Sequence, residues 1–177
     1  MDFLFKIILL FSKLPLKILY IFSDCTFFLI YHIAGYRKEV VSENLRNSFP
    51  HKTNEELKKI RKNFYLNFSD YIVETLKSFT MSSHELRVRV QHLNQAVFHE
   101  AKAEGKNVIL LSGHVFNWEW FNALATMIPQ ENSFPVYRKV QSNFWEEKVK
   151  SIRNRFGNHA IEAKEVIRHI FRNPNDG

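Results

Sequence analysis

The sequence predicts an α/β fold, a largely parallel sheet flanked by helices, preceded by a membrane-associated helical segment. Three observations predict it. Short apolar runs alternate with helical patterns through the second half of the chain. Two apolar stretches with basic residues at their edges, residues 1–14 and 16–33, open it. A length of 177 residues, 45% of them hydrophobic, is enough for a sizeable core. Residues 1–36 are therefore read as membrane anchor or interfacial helices, and residues 37–177 as the folded domain.

Residues 1–14 are apolar apart from Asp2, Lys6, Ser12 and Lys13, and Pro15 interrupts the run or starts the next helix. Lys6, Lys13 and Lys17 fall close to one line on helical spacing, the pattern of a helix lying in a membrane interface. The second stretch, 16–33, nearly matches a hydrocarbon core in length. Its central Asp24 costs about 2.5 to 3.5 kcal/mol, against about 5 kcal/mol returned by its Leu, Ile and Phe residues. A monotopic hairpin and a tilted span both fit, with an amphipathic core helix as the soluble alternative. No small-residue cleavage pattern follows, and basic residues flank the stretch on both sides, so orientation stays open.

Residues 37–47 read as a polar helix ending at Phe49-Pro50. Thr53 to Glu56 opens the next helix in capping-box fashion, and Leu57, Ile60, Phe64, Phe68, Tyr71, Ile72, Thr75 and Leu76 then recur at three and four. Asp70 and Glu74 lie one turn apart on it, either as support for an active site or as a solvated acidic pair. His84, His92 and His99 are about two turns apart, over ~10 Å along a helix, too far to share one ion, so no metal site is expected.

Residues 108–111 form an unbroken apolar run suited to a strand covered on both faces, and Asn117 is a plausible cap for a helix over 118–127. His114 then sits on a glycine turn between strand and helix, with Glu119 in the helix's first turn. On one continuous helix the two would point about 140° apart; a loop position for the histidine lifts that constraint. An acid beside an imidazole, near free backbone N–H groups, can take a proton from a hydroxyl and stabilise an oxyanion. Spacing alone favours a plainer reading, a turn histidine with a capping glutamate.

Residues 133–138 read as a second strand, 144–156 as a helix closed by Gly157, 159–162 as a third strand and 164–171 as a helix. The chain stops at the turn 173–177, which ought to feed a fourth strand, so a truncated piece of a longer protein is expected. The single cysteine, Cys25, supports neither a disulfide framework nor a thiolate cluster. A net charge of +7 suits an acidic partner. Many of the 17 phenylalanines sit with Leu and Ile in the first third rather than among Lys and Arg, which argues against nucleic acid.

Gly113-His114-x-x-Asn117-Trp118-Glu119, then Val136-Tyr137-Arg138 and Arg153-x-Arg155-x-Gly157, resemble the late acyltransferases of lipid A biosynthesis, the lauroyl and myristoyl transferases. Tyr36-Arg37, Asn44-Leu45 and Phe49-Pro50 look like the same family, so the resemblance spans nearly the whole chain in order. It departs at Phe116, where the family commonly has glycine, and the family's later strand and acidic turn are absent.

The resemblance implies a glycerolipid-acyltransferase-like fold, with residues 37–177 as the N-terminal part of the catalytic domain. It implies an O-acyltransferase in which His114 is general base on an acceptor hydroxyl and Glu119 orients its ring. The donor would be an acyl chain on acyl carrier protein, the acceptor a lipid A precursor, with no cofactor. Asn117, Arg138, Arg153 and Arg155 are the implied substrate-binding residues, the arginines for phosphate; for Arg153 and Arg155 a solvated helix face is the competing reading. The implied location is the cell inner membrane, with the catalytic domain on the cytoplasmic face. Two alternatives stand beside this: a glycerophospholipid or aminolipid acceptor, or a non-enzymatic basic membrane-bound module.

Overall fold

The computed structural model describes residues 2–91, 93–127 and 132–173; His92, position 128 and residues 174–177, where a turn is expected, lie outside them. Two compact units divide the chain, Met1–Thr80 and Met81–Gly177.

The first unit is helical. Helix α1 spans Asp2–Ser12 and α2 spans Leu16–Phe27, with Pro15 in extended conformation at the cap between them. The helical path continues through a wider π-helical stretch, Phe28–Ile33. After α3 (Lys38–Ser48), the long α4 (Asn54–Lys77) begins at the expected capping box: Thr53 Oγ1 accepts from the Glu56 N–H, and the Glu56 carboxylate accepts from the Thr53 N–H. Helix α2 lies against α4 through Leu16, Leu19 and Ser23, which meet the face carrying Tyr65, Ser69 and Val73.

Polar bonds reinforce that apolar contact. The Ser23 hydroxyl donates to Asp70 Oδ1 at 2.6 Å, and the Tyr20 hydroxyl donates to Glu74 Oε1 at 2.6 Å. Asp70 and Glu74 are thus not a solvated pair; they fasten α2 to α4. Away from α4, the apolar side chains of Phe3, Leu4, Leu10, Ile21, Phe28 and Ile33 are exposed. Residues Leu16–Ile33 form one helical path long and apolar enough to cross a membrane.

The second unit departs from the predicted sheet. Its β-structure is two short parallel strands, β1 (Val136–Tyr137) and β2 (Ile161–Glu162), in register Val136 to Ile161, with a parallel bridge from Ser133 to Asn158. These fall inside the two later predicted strands. The expected buried strand over 108–111 is not formed: its backbone joins no ladder among the described residues, and Ile109 and Leu111 are 80% and 89% exposed. An apolar run has strand potential only, because a strand exists through hydrogen bonds to a neighbour, and β1 and β2 pair with each other.

Helices α5 (Ser83–Arg89) and α6 (Ala96–Ala103) precede that run, α5 with its own capping box from Ser82 to Glu85. After it the expected helix over 118–127 is a 3₁₀ turn, Trp118–Ala123, and only then α-helix, α7 (Leu124–Met127). Helix α8 (Asn143–Arg153) ends before the expected 156, because Phe156 is left-handed at φ +66° and splits off a 3₁₀ turn, Arg155–Gly157. Gly157, at φ +94°, closes that turn, and α9 (Val166–Arg172) follows β2.

Candidate active site

The Gly113 to Glu119 segment is folded by its own backbone. Val115 N–H donates to the Gly113 carbonyl at 2.8 Å, and Trp118 and Trp120 N–H groups donate to the Phe116 and Asn117 carbonyls at 3.2 Å. Within this turn Phe116 lies in the left-handed region, at φ +50°. A Cβ crowds the carbonyl there, at a cost of about 1–2 kcal/mol for a residue other than glycine. The departure from the family's glycine thus falls where glycine is conformationally favoured.

His114 is exposed and sits before the 3₁₀ turn, its ring edge-on to Trp118 with centroids 4.6 Å apart. Among the described residues no hydrogen bond engages its imidazole, and none joins it to Glu119. Asn117 is buried at the start of the turn, where its carbonyl closes the first 3₁₀ bond.

Glu119 is held by Arg153. Arg153 Nη2 donates to Oε1 at 2.7 Å and Nε donates to Oε2 at 3.3 Å, side by side, with side-chain exposures of 19% for Arg153 and 10% for Glu119. The guanidinium also lies 5.3 Å from the Tyr137 ring centre. The Tyr137 hydroxyl donates to Glu146 Oε1 at 2.8 Å, and the other Glu146 oxygen accepts from the Val140 N–H at 2.8 Å. One polar chain, Glu119, Arg153, Tyr137, Glu146, Val140, therefore joins the 3₁₀ turn, α8, β1 and the loop after β1.

The electrostatics follow the bonding. Burial, then the bond to Glu146, pushes the Tyr137 phenol up to about 12. The Val140 N–H, then the Tyr137 hydroxyl, hold the Glu146 carboxyl below its ordinary value. Tyr137 stood within a motif legible in the sequence; Glu146 carried no signal beyond being an acid in the first turn of a helix.

The three arginines differ. Arg138 follows β1, is exposed, and makes no ion pair among the described residues. Arg153 is engaged by Glu119. Arg155 Nη2 donates to the Met81 carbonyl at 2.7 Å, its guanidinium lies 4.7 Å from the Phe156 ring centre, and burial lowers its pKa from the ordinary value. The described residues gather no group of three or more His, Cys, Asp or Glu side chains suited to a metal.

A search of curated proteins finds no match to this chain. The family described as bacterial lipid A biosynthesis acyltransferase matches residues 2–177. With essentially the whole length matched, and with an exposed histidine on a turn followed by a fixed carboxylate, the chain belongs to the bacterial lipid A biosynthesis acyltransferase family.

Proposed function

We propose that the protein transfers a fatty acyl chain from acyl carrier protein to a hydroxyl of a lipid A precursor, at the cytoplasmic face of the inner membrane. The observation that supports this most is the exposed His114 imidazole, free of hydrogen bonds among the described residues, one turn before a carboxylate fixed in place by Arg153.

His114 takes the proton from the acceptor hydroxyl as the oxygen attacks the thioester carbonyl carbon and the new C–O bond forms. The carbonyl oxygen becomes an oxyanion, met by backbone N–H groups of the turn. Collapse breaks the C–S bond, and the departing thiolate takes the proton back from the imidazolium. The products are an ester and the carrier thiol, with no covalent enzyme intermediate. Glu119, held through both oxygens by Arg153, sets the turn that carries His114, and Asn117 shapes that turn from inside. Arg138, exposed and uncommitted, is the arginine we assign to a substrate phosphate.

His114→Ala in the purified full-length protein should lower transfer from acyl carrier protein by about 10²- to 10⁴-fold. An exposed side chain of this kind should change folding stability by no more than about 0.5 kcal/mol. Near-normal turnover in the variant would sink the reading. Mass spectrometry of lipids from a deletion strain tests the acceptor: unchanged lipid A beside an altered phospholipid or aminolipid profile would move the activity to another lipid.

A further inference from the structure

The first unit holds a basic cleft of its own. Beyond Ile33, Gly35 at φ +57° and Arg37 at φ +50° turn the chain into α3. Arg37 occupies the cap position with no side-chain cap bond; the Lys38 N–H donates to the Gly35 carbonyl at 3.1 Å, and past it the helix start presents backbone N–H groups and the positive end of its dipole. Helix α3 is tied to α4 by one hydroxyl: Ser42 Oγ donates to the Lys38 carbonyl at 2.7 Å and accepts from Arg61 Nη1 at 2.6 Å.

Between these elements lies an open cleft of about 660 Å³ whose lining includes Arg37, Lys38, Glu39, Ser42, Arg46 and Arg61. Four cations face a single carboxylate. A smaller cleft of about 300 Å³ shares Ser42, Arg46 and Arg61 and adds Lys58, which is already paired with Glu55 at 2.7 Å. Among the described residues Arg61 makes only the bond to Ser42, and its Nε is buried without an acceptor. A buried donor left unmet is destabilising, and an acceptor that reaches it removes that cost. Clustered like charges add repulsion that a bound anion relieves.

The number of donors points to a dianion with three or more oxygens rather than to a carboxylate. Arginine forks match phosphate oxygens in pairs, and a helix start adds N–H groups. Position points to its source. The cleft begins two residues after an apolar helical path, beyond exposed Phe28, Leu29 and Ile33. A phosphate carrying acyl chains can place its headgroup among the arginines and its chains beside those residues.

We propose that this cleft binds a phosphate monoester, with a membrane lipid headgroup as its source. The test is co-sedimentation of the full chain with phosphatidylcholine vesicles containing phosphatidic acid or phosphatidylglycerol, matched for surface charge. The protein should prefer phosphatidic acid by about tenfold, as expected for one lost charge-assisted bond pair. Arg46→Gln/Arg61→Gln should abolish the preference. Lys59→Gln/Lys62→Gln, which removes the same charge from exposed α4 positions outside the cleft, should leave it intact.

Should loss of Arg61 unfold the first unit, as circular dichroism would show, Arg37→Gln/Arg46→Gln removes two cleft cations whose side chains make no hydrogen bond or ion pair among the described residues. Displacement by soluble glycerol phosphate at affinity equal to that of phosphatidic acid would support the phosphate site and assign it to free phosphate esters. Equal binding to both vesicle types, a preference surviving both cleft variants, or an equal loss in the Lys59/Lys62 control would overturn the proposal.

Discussion

Arg153 grips both carboxylate oxygens of Glu119 from a distance of 34 residues along the chain, with Nη2 at 2.7 Å and Nε at 3.3 Å. Both side chains are largely covered, so removing either leaves a poorly solvated charge. Glu119→Gln and Arg153→Gln should each lower stability by about 1–3 kcal/mol, and the double variant by less than the sum. Arg153→Lys should rescue little, because a point charge cannot reproduce the Nε and Nη2 fork. Denaturant titration of the four proteins measures this. A lysine variant as stable as wild type would reduce the contact to simple charge pairing.

The left-handed backbone at Phe116 is relieved by glycine. Phe116→Gly removes about 1–2 kcal/mol of conformational strain and adds about 0.5–1 kcal/mol of chain entropy to be lost on folding. The side chain is exposed, so little packing is forfeited. A net gain of a few tenths to about 1 kcal/mol is expected, read as a rise in denaturation midpoint. A clear loss of stability would mean that the aromatic ring packs in a way its exposure does not suggest.

Tyr137 predicts an alkaline limb in the stability profile. Its folded pKa, about 12, lies above the ordinary 10.0, so the fold favours the neutral phenol. That contribution is complete below pH 10 and is lost as pH rises from 10.0 to about 12, where the unfolded chain is deprotonated and the folded one is not. Tyr137→Phe should flatten stability across that window. In spectrophotometric titration the variant should also lack one phenol that titrates at about 12.

Glu146 acts at the other end of the scale. Its carboxyl is held below the ordinary value, so its contribution is present above the normal carboxylate range and fades as pH falls through the lowered folded pKa. Glu146→Gln should remove this acid sensitivity. It should also lower the pH at which Tyr137 ionises, because a charged acceptor has been replaced by a neutral one. An unmoved Tyr137 titration would leave burial as the sole cause of its shift.

The hydroxyls of Ser23 and Tyr20 hold α2 on α4 through Asp70 and Glu74. Asp70→Ala or Glu74→Ala should each cost about 1–3 kcal/mol and raise hydrogen exchange across α2 first. Exchange rising uniformly over both units would show that α2 is not a separately released element.

The helices were legible because their determinants are local. Thr53 and Glu56 form the capping box their spacing announces, Pro15 separates two apolar helices, and α3 and α4 begin within a residue or two of the expected places. The two later strands were legible as positions, since β1 and β2 fall within the predicted stretches. In the candidate site, His114 on a turn and Glu119 just after it follow from Gly113 and the helical pattern that comes next. Arg138 at a strand end was also readable.

By itself, then, the sequence determined what short-range forces decide: helix period, caps, breaks, charge, and a family identity carried by ordered motifs. Only the tertiary structure decided which groups find distant partners. It left residues 108–111 outside any ladder, since a strand requires a neighbour's hydrogen bonds. Asp70 and Glu74 became the clasp for α2, and Arg153 found Glu119, because an arginine beside a carboxylate in a poorly solvated place pairs with it. These partners lie 34 to 54 residues apart, beyond the reach of any periodicity, and so depend on how the chain packs.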